Sequence, residues 1–290
     1  MRVGIDIGGT SVKLGFVDDY KIIYKEEIKT KKETLFVDVK NKINEIKTKY
    51  NYDIDGLGFG VPGNVKNNYI FNMPNVGLQN INLNELFKEY KIYSSNDANV
   101  AALAEDIYEK KYNSLYFITL GTGVGGGLVL NHKIFEGNDN CAGEIGHIII
   151  DDKYNFKCTC GLCGCLETLS SATGIVRLAK TLNNKYETKM NLINISCKDV
   201  FDYAKLNDPL ALNVIDEATK ALAKALAMIA VAINPEVIFI GGGVSKAGDY
   251  LLDKIRKYFK LYAHYGVKNT EIYLAHLSND AGILGAAYLW

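Results

Sequence analysis

Residues 115–130 read LYFITLGTGVGGGLVL, and residues 3–17 read VGIDIGGTSVKLGFV. In each stretch an apolar run of strand length meets a glycine turn and resumes as a second apolar run. Alternation predicts strands over Val3–Ile7, Ser11–Val17 and Lys21–Ile28, an antiparallel meander turned first by glycines and then by Asp18-Asp19. The later stretch restarts that grammar, with LYFITLGTG, GGGLVLNHKIF and GHIIID as its three strands. The chain therefore reads as internally duplicated.

Outward from the first meander, Leu35, Val39, Ile43 and Ile46 recur at helical spacing within Glu33–Tyr50. A buried strand at Gly56–Gly60 ends at Pro62-Gly63, Asn84 reads as a helix cap, Ile92–Ser95 as a strand and Ala98–Lys111 as a helix. Beyond the second meander, the pattern gives helices near Gly174–Thr181 and Asp208–Ile233. A strand at Val237–Ile240 runs into Gly241-Gly242-Gly243, followed by a helix at Ala247–Tyr262, a strand at Glu271–Ala275 and a terminal helix. A meander followed by alternating helices and strands, twice over, is the pattern of two α/β domains facing each other. The expected division is residues 1–114 as a small N-terminal domain, joined by the C-terminal helix of about 278–290, and 115–277 as a larger domain.

Bulk properties narrow the partner. With 290 residues, 48% of them hydrophobic, the chain can bury a sizeable core. Lysine plus arginine and aspartate plus glutamate number 33 each, so the basic footprint of a nucleic-acid binder or polybasic membrane segment is missing. The N-terminus enters a strand at once, without the layout of a secretory signal, and the long apolar stretch Ala221–Ile233 is broken by Lys224 and stopped by Pro235. These features predict a soluble, cytoplasmic protein acting on a small molecule, with no nucleic acid and no membrane.

The glycine turns suggest what that molecule carries. Asp6 ends the first strand directly before Gly8-Gly9-Thr10, and Lys13 lies on the next strand. Glycine lets backbone N–H groups approach phosphate oxygens, and a carboxylate beside them suits a Mg²⁺ held through water. An ordinary hairpin turn is the alternative. In the second turn five glycines occupy seven positions, Gly121 to Gly127, at a cost of roughly 0.5–1 kcal/mol each in regular structure, so something other than strand stability selects them. Thr122 adds a hydroxyl there. Gly242 and Gly243, between a strand and a helix, form a third turn suited to adenosine or the α-phosphate, with Ser245 as a cap. No GxxxxGK[ST] occurs and no GxGxxG is placed as a Rossmann fold needs it, which argues against P-loop and Rossmann readings.

Ser95-Asn96-Asp97-Ala98-Asn99 stands between a strand and a helix. Asp97 there could accept a proton from an attacking hydroxyl, or it could simply cap the helix. Four cysteines crowd into CTCGLCGC, Cys158 to Cys165. In a reducing compartment such clustering favours a metal over disulfides. Cys158, Cys160 and Cys165 with His147 would give a tetrahedral Cys₃His zinc site, and adding Cys163 in place of the histidine would give Cys₄. Iron–sulfur ligation fits the spacing less well. Cys141 and Cys197 stand alone and read as buried thiols.

DIGGTSVK, LGTGVGGGLVL, AGEIGH, CTCGLCGCLE and AGILGAA, in that order from residue 3 to 287, resemble the ROK family of sugar kinases and sugar-responsive repressors, within the hexokinase and actin-like ATPase superfamily. The resemblance implies two actin-like (RNase H-like) ATPase domains around an interdomain cleft that closes on a sugar, a homodimer, and ATP with Mg²⁺ as phosphoryl donor. It implies Asp6, Gly8, Gly9, Thr10, Lys13, Gly121, Thr122, Gly123, Gly242 and Gly243 at the nucleotide, and Asp97 as catalytic base. Gly63, Asn75, Asn96, Glu144, His147 and Glu167 are implied at a hexose, with a structural Zn²⁺ on His147, Cys158, Cys160 and Cys165. Glucose leads as substrate. N-acetylmannosamine, N-acetylglucosamine, fructose and mannose are the alternatives. A sugar-sensing regulator is disfavoured because the phosphate strand begins at Arg2, leaving no room for a helix-turn-helix.

Overall fold

The computed structural model describes Met1–Trp290. Its first unit begins with β1 (Arg2–Ile7), β2 (Ser11–Asp18) and β3 (Lys21–Lys29), continues through α1 (Leu35–Tyr50) and β4 (Gly56–Val61), and adds a small hairpin sheet of β5 (Asn64–Lys66), β6 (Tyr69–Met73) and β7 (Leu78–Asn82). A short α2 (Leu83–Leu86), β8 (Ile92–Asn96) and α3 (Asp97–Glu109) follow. The main sheet has the order β3-β2-β1-β4-β8. Strands β1 and β2 are antiparallel with Asp6 opposite Lys13, whereas β4 runs parallel to both β1 and β8. One face of α1, Leu35, Val39, Ile43 and Ile46, closes over Val3, Ile5, Leu14, Phe16, Leu57 and Phe59.

The chain then forms β9 (Ser114–Leu120), β10 (Val124–Leu130) and β11 (Lys133–Ile134). After a long irregular segment come α4 (Glu167–Ser170), α5 (Ala172–Leu182), α6 (Cys197–Lys205), α7 (Pro209–Ile233), β12 (Val237–Gly241), α8 (Asp249–Tyr262), β13 (Glu271–Leu274) and α9 (Ala281–Ala287). The second sheet has the order β11-β10-β9-β12-β13, the same arrangement as the first. By packing, Met1–Asn113, Gly127–Ala142 and His276–Trp290 form one compact unit, and Ser114–Gly126 with Gly143–Ala275 the other. Helix α9 belongs to the first unit. It lies directly on β1 and β4, because a Cβ at Gly4 or Gly58 would stand 1.9 Å from the Ile283 carbonyl oxygen or 1.8 Å from that of Ala286. No helix is long and apolar enough to cross a membrane.

Several local expectations change. GHIIID is not a strand: Ile145–His147 is a single 3₁₀ turn, and Ile149 makes one isolated bridge to Cys165. The third strand of the second meander is the two-residue β11 instead. Asn82, not Asn84, caps α2, its side chain accepting from the Asn84 N–H at 3.1 Å. The hairpin sheet β5–β7 and helix α6 are additional, the strands being only three to five residues long and rich in asparagine. Cys141 is exposed and Cys197 half-buried, so neither is the plain core thiol its isolation suggested.

Candidate functional site

In the first unit the polar residues sit at the ends of regular elements. Asp6 closes β1, with Lys13 Nζ at 3.9 Å on the facing strand. Burial pushes the Asp6 carboxyl above its ordinary value and the Lys13 ammonium partly counters this. The turn Gly8-Gly9-Thr10 is fixed by the Gly8 N–H donating to the Ser11 carbonyl at 2.9 Å, while the Thr30 hydroxyl donates to the Gly8 carbonyl at 2.7 Å. Gly9 lies against Asn75, where an added Cβ would be 3.2 Å from the Asn75 oxygen. The phosphate-type turn and the Asn75 loop are thus neighbours. Neither Gly8 nor Gly9 has positive φ, so close approach, not handedness, explains them.

Asn96 holds the capping role that the sequence left open for Asp97. Asn96 is the N-cap of α3, its side chain accepting from the Ala98 N–H at 2.9 Å, and its Nδ2 donates to the Gly63 carbonyl at 3.3 Å. Asp97 is the first helical residue, with Oδ1 2.9 Å from the same Ala98 nitrogen. Because the cap is already supplied, the helix does not require a carboxylate at 97.

In the second unit the polar residues ride on irregular chain. His147 presents Nδ1 to Cys158 Sγ at 3.7 Å and Nε2 to Glu144 at 3.9 Å. Cys160 and Cys165 have their sulfurs 3.6 Å apart, and one ligand atom from each of His147, Cys158, Cys160 and Cys165 falls within 4.8 Å of the others. A tetrahedral metal with bonds of about 2.0 Å to nitrogen and 2.3 Å to sulfur separates its ligand atoms by roughly 3.5–3.8 Å, so both close pairs fit. Burial raises the thiols of Cys158 and Cys165, and a cation bound among them would lower both. Cys163 is exposed and does not converge with the four.

Glu167 opens α4 and reaches the second glycine turn. Its Oε2 accepts from the Val124 N–H at 3.0 Å, and the Thr159 hydroxyl donates to Oε1 at 3.4 Å. At Gly123 a Cβ would stand 2.3 Å from that Oε2, so glycine makes room for the carboxylate. The turn is anchored from the start of α5: the Ala172 N–H donates to the Gly121 carbonyl and the Thr173 hydroxyl to the Thr122 carbonyl, both at 2.8 Å. Sequence reasoning did not single out Thr173, although Ser171-Ala172-Thr173 before a helix is a capping signal. The third turn packs on the second, with Gly242 at φ +84° and its missing Cβ 2.5 Å from the Leu120 carbonyl oxygen. Gly121 and Gly243 differ from these, since a Cβ on either would meet no protein atom within 4 Å. Their bare backbone suits contact with a ligand. Ser245 caps no N–H group; its hydroxyl donates to the Gly242 carbonyl at 2.7 Å.

Comparison with known proteins fits this arrangement. A glucokinase of Halalkalibacterium halodurans is 39% identical over 310 aligned positions, covering 99% of this chain and 94% of the relative. An N-acetylmannosamine kinase of Haemophilus influenzae is 29% identical, covering 99% and 94%. Among solved structures, a ROK family glucokinase from Streptomyces griseus in complex with glucose and AMPPNP superposes with a TM-score of 0.82 at 28% identity, covering 99% of this chain and 98% of that one. The sequence model of the ROK family matches residues 2–290, and the chain belongs to that family.

Proposed function

We propose that the protein transfers the γ-phosphoryl group of ATP to the 6-hydroxyl of a hexose, glucose first. The observation that carries this reading is that Asn96 supplies the N-cap of α3, so the helix does not need a carboxylate at 97 for capping. Relatives that are sugar kinases over nearly the full chain supply the reaction class.

In this reading the Asp97 carboxylate accepts the proton of the sugar hydroxyl as its oxygen bonds to phosphorus and the bond to the ADP oxygen breaks. Asn75, Asn96, Glu144, His147 and Glu167, with the backbone at Gly63, fix the sugar by hydrogen bonds, the carboxylates accepting from its hydroxyls. Gly8, Gly9, Thr10, Gly121, Thr122, Gly123, Gly242 and Gly243 offer backbone and hydroxyl groups to the nucleotide. Asp6 and Lys13 flank its phosphates, and Mg²⁺ beside Asp6 would neutralise charge there. Zinc on His147, Cys158, Cys160 and Cys165 would be a closed, architectural site, tying Nδ1 of His147 and leaving Nε2 to face Glu144 and a sugar hydroxyl. Homodimeric assembly and a cytoplasmic location belong to the same reading.

A coupled ADP-release assay across glucose, mannose, fructose, N-acetylmannosamine and N-acetylglucosamine tests it. Glucose should give the highest kcat/KM. A clear preference for N-acetylmannosamine would transfer the assignment to that sugar, in line with the Haemophilus relative. Trivial, equal rates with all five would reject the kinase.

A further inference from the structure

Ser95, directly ahead of Asn96 and Asp97, is 1% exposed, and its hydroxyl donates to Glu136 Oε1 at 2.5 Å. Glu136 lies far along the chain, after β11, and its other oxygen accepts from Asn140 Nδ2 at 3.0 Å. The loop between them is closed on itself, the Ala142 N–H donating to the Glu136 carbonyl at 3.0 Å. It is also tied to the hairpin sheet. Lys66 Nζ donates to the Asn138 carbonyl at 2.8 Å and lies 3.4 Å from Asp139, and Asn64 Nδ2 faces Cys141 Sγ at 3.9 Å. Asn64 follows Gly63, whose carbonyl receives Asn96. Residues 136–142 therefore form a strap whose two ends bear on the segments carrying Gly63 and Asp97.

We infer that Glu136 is a positioning residue for Asp97: through Ser95 it fixes the end of β8 and the first turn of α3, and so the direction in which the Asp97 carboxylate points. This rests on the reading of Asp97 as the base. A charged acceptor suits the task. Hydrogen bonds to a carboxylate are roughly twice as strong as neutral ones, and Ser95, buried at the strand end, holds a single rotamer where it makes one. Small errors in such placement are costly, since about 1 Å of displacement at a reacting group can reduce turnover by roughly 10²-fold.

The test compares Glu136→Ala, Glu136→Gln, Ser95→Ala and the double variant Ser95→Ala/Glu136→Ala in the wild-type background, with kinetics and amide hydrogen exchange. Glu136→Ala should lower kcat about tenfold or more while changing the sugar KM less than threefold. Glu136→Gln, which still accepts from Ser95, should recover most of the loss, and the double variant should be no worse than the poorer single one. The Ala98 amide, held by Asn96 and Asp97, should exchange faster in Glu136→Ala than in wild type. Unchanged kcat in Glu136→Ala, additive losses in the double variant, or loss of melting temperature without the kcat change would each overturn the inference. If the wild type phosphorylates none of the sugars, the kinase reading fails. Hydrogen exchange then still decides the inference: unaltered Ala98 exchange in Glu136→Ala refutes it, and faster exchange upholds the positioning of this segment.

Discussion

The two sheets share one strand order, yet their third strands differ: β3 has nine residues and β11 has two. In the first unit the candidate residues stand in a strand, at a strand end, in a turn or at a helix start, where ladder and cap hydrogen bonds fix much of the backbone. In the second unit, Glu144, His147 and the cysteines lie on chain with one 3₁₀ turn and isolated bridges. Backbone without a ladder needs another restraint. A metal held by the converging His147, Cys158, Cys160 and Cys165 would supply one, so the polar placement that secondary structure gives on one side would come from a cross-link on the other.

Asp97→Asn is the sharpest test of the first half. Asn96 keeps the cap and asparagine tolerates the first turn, so the melting temperature should hold while kcat falls by roughly 10²–10⁴. Near-normal turnover would remove the catalytic assignment. For the second half, Cys165→Ser strikes a fully buried ligand position. Elemental analysis should find about one zinc per chain in the wild type and much less in the variant, with lower thermal stability and a sugar KM raised about tenfold. Wild-type protein without metal would break the comparison outright.

Two glycine substitutions separate packing from ligand contact within one turn. Gly123→Ala forces a Cβ to 2.3 Å from Glu167 and should lower kcat/KM for the sugar about tenfold. Gly121→Ala meets no protein atom, so stability should be unchanged while the ATP KM rises about fivefold, near 1 kcal/mol. An unaltered ATP KM would detach Gly121 from the nucleotide. The smallest effect belongs to Cys163→Ser: its sulfur is exposed and outside the cluster, so zinc content and KM should stay within twofold. Loss of zinc there would revive a four-cysteine site.

What could be read without coordinates follows the same divide. The first meander, the first two strands of the second and helices α1, α3, α5, α7 and α8 were legible because period-two and period-3.6 apolar patterns report burial on one face. The small sheet β5–β7 was not, since strands of three to five residues hold too few alternations to register. GHIIID misled for a different reason. Its alternation is real, but residues 145–147 take a 3₁₀ turn and only Ile149 pairs, in one isolated bridge. Among site residues, the cysteines announce themselves by type and spacing and Asp97 only through the family resemblance, whereas Glu136 is 41 positions from Ser95 and nothing local links the two.

The placement of α9 bears on how the protein is made. The first unit contains β1 and β4, but the helix that covers them is synthesised after the whole second unit, and Ala281, Ile283, Leu284 and Ala287 join Val17 and Ala104 in one apolar cluster. Translation must therefore pass through the second unit before that cluster can close. Residues 114–126 and 143–275, by contrast, are complete before α9 emerges, so the unit that begins second can finish folding first.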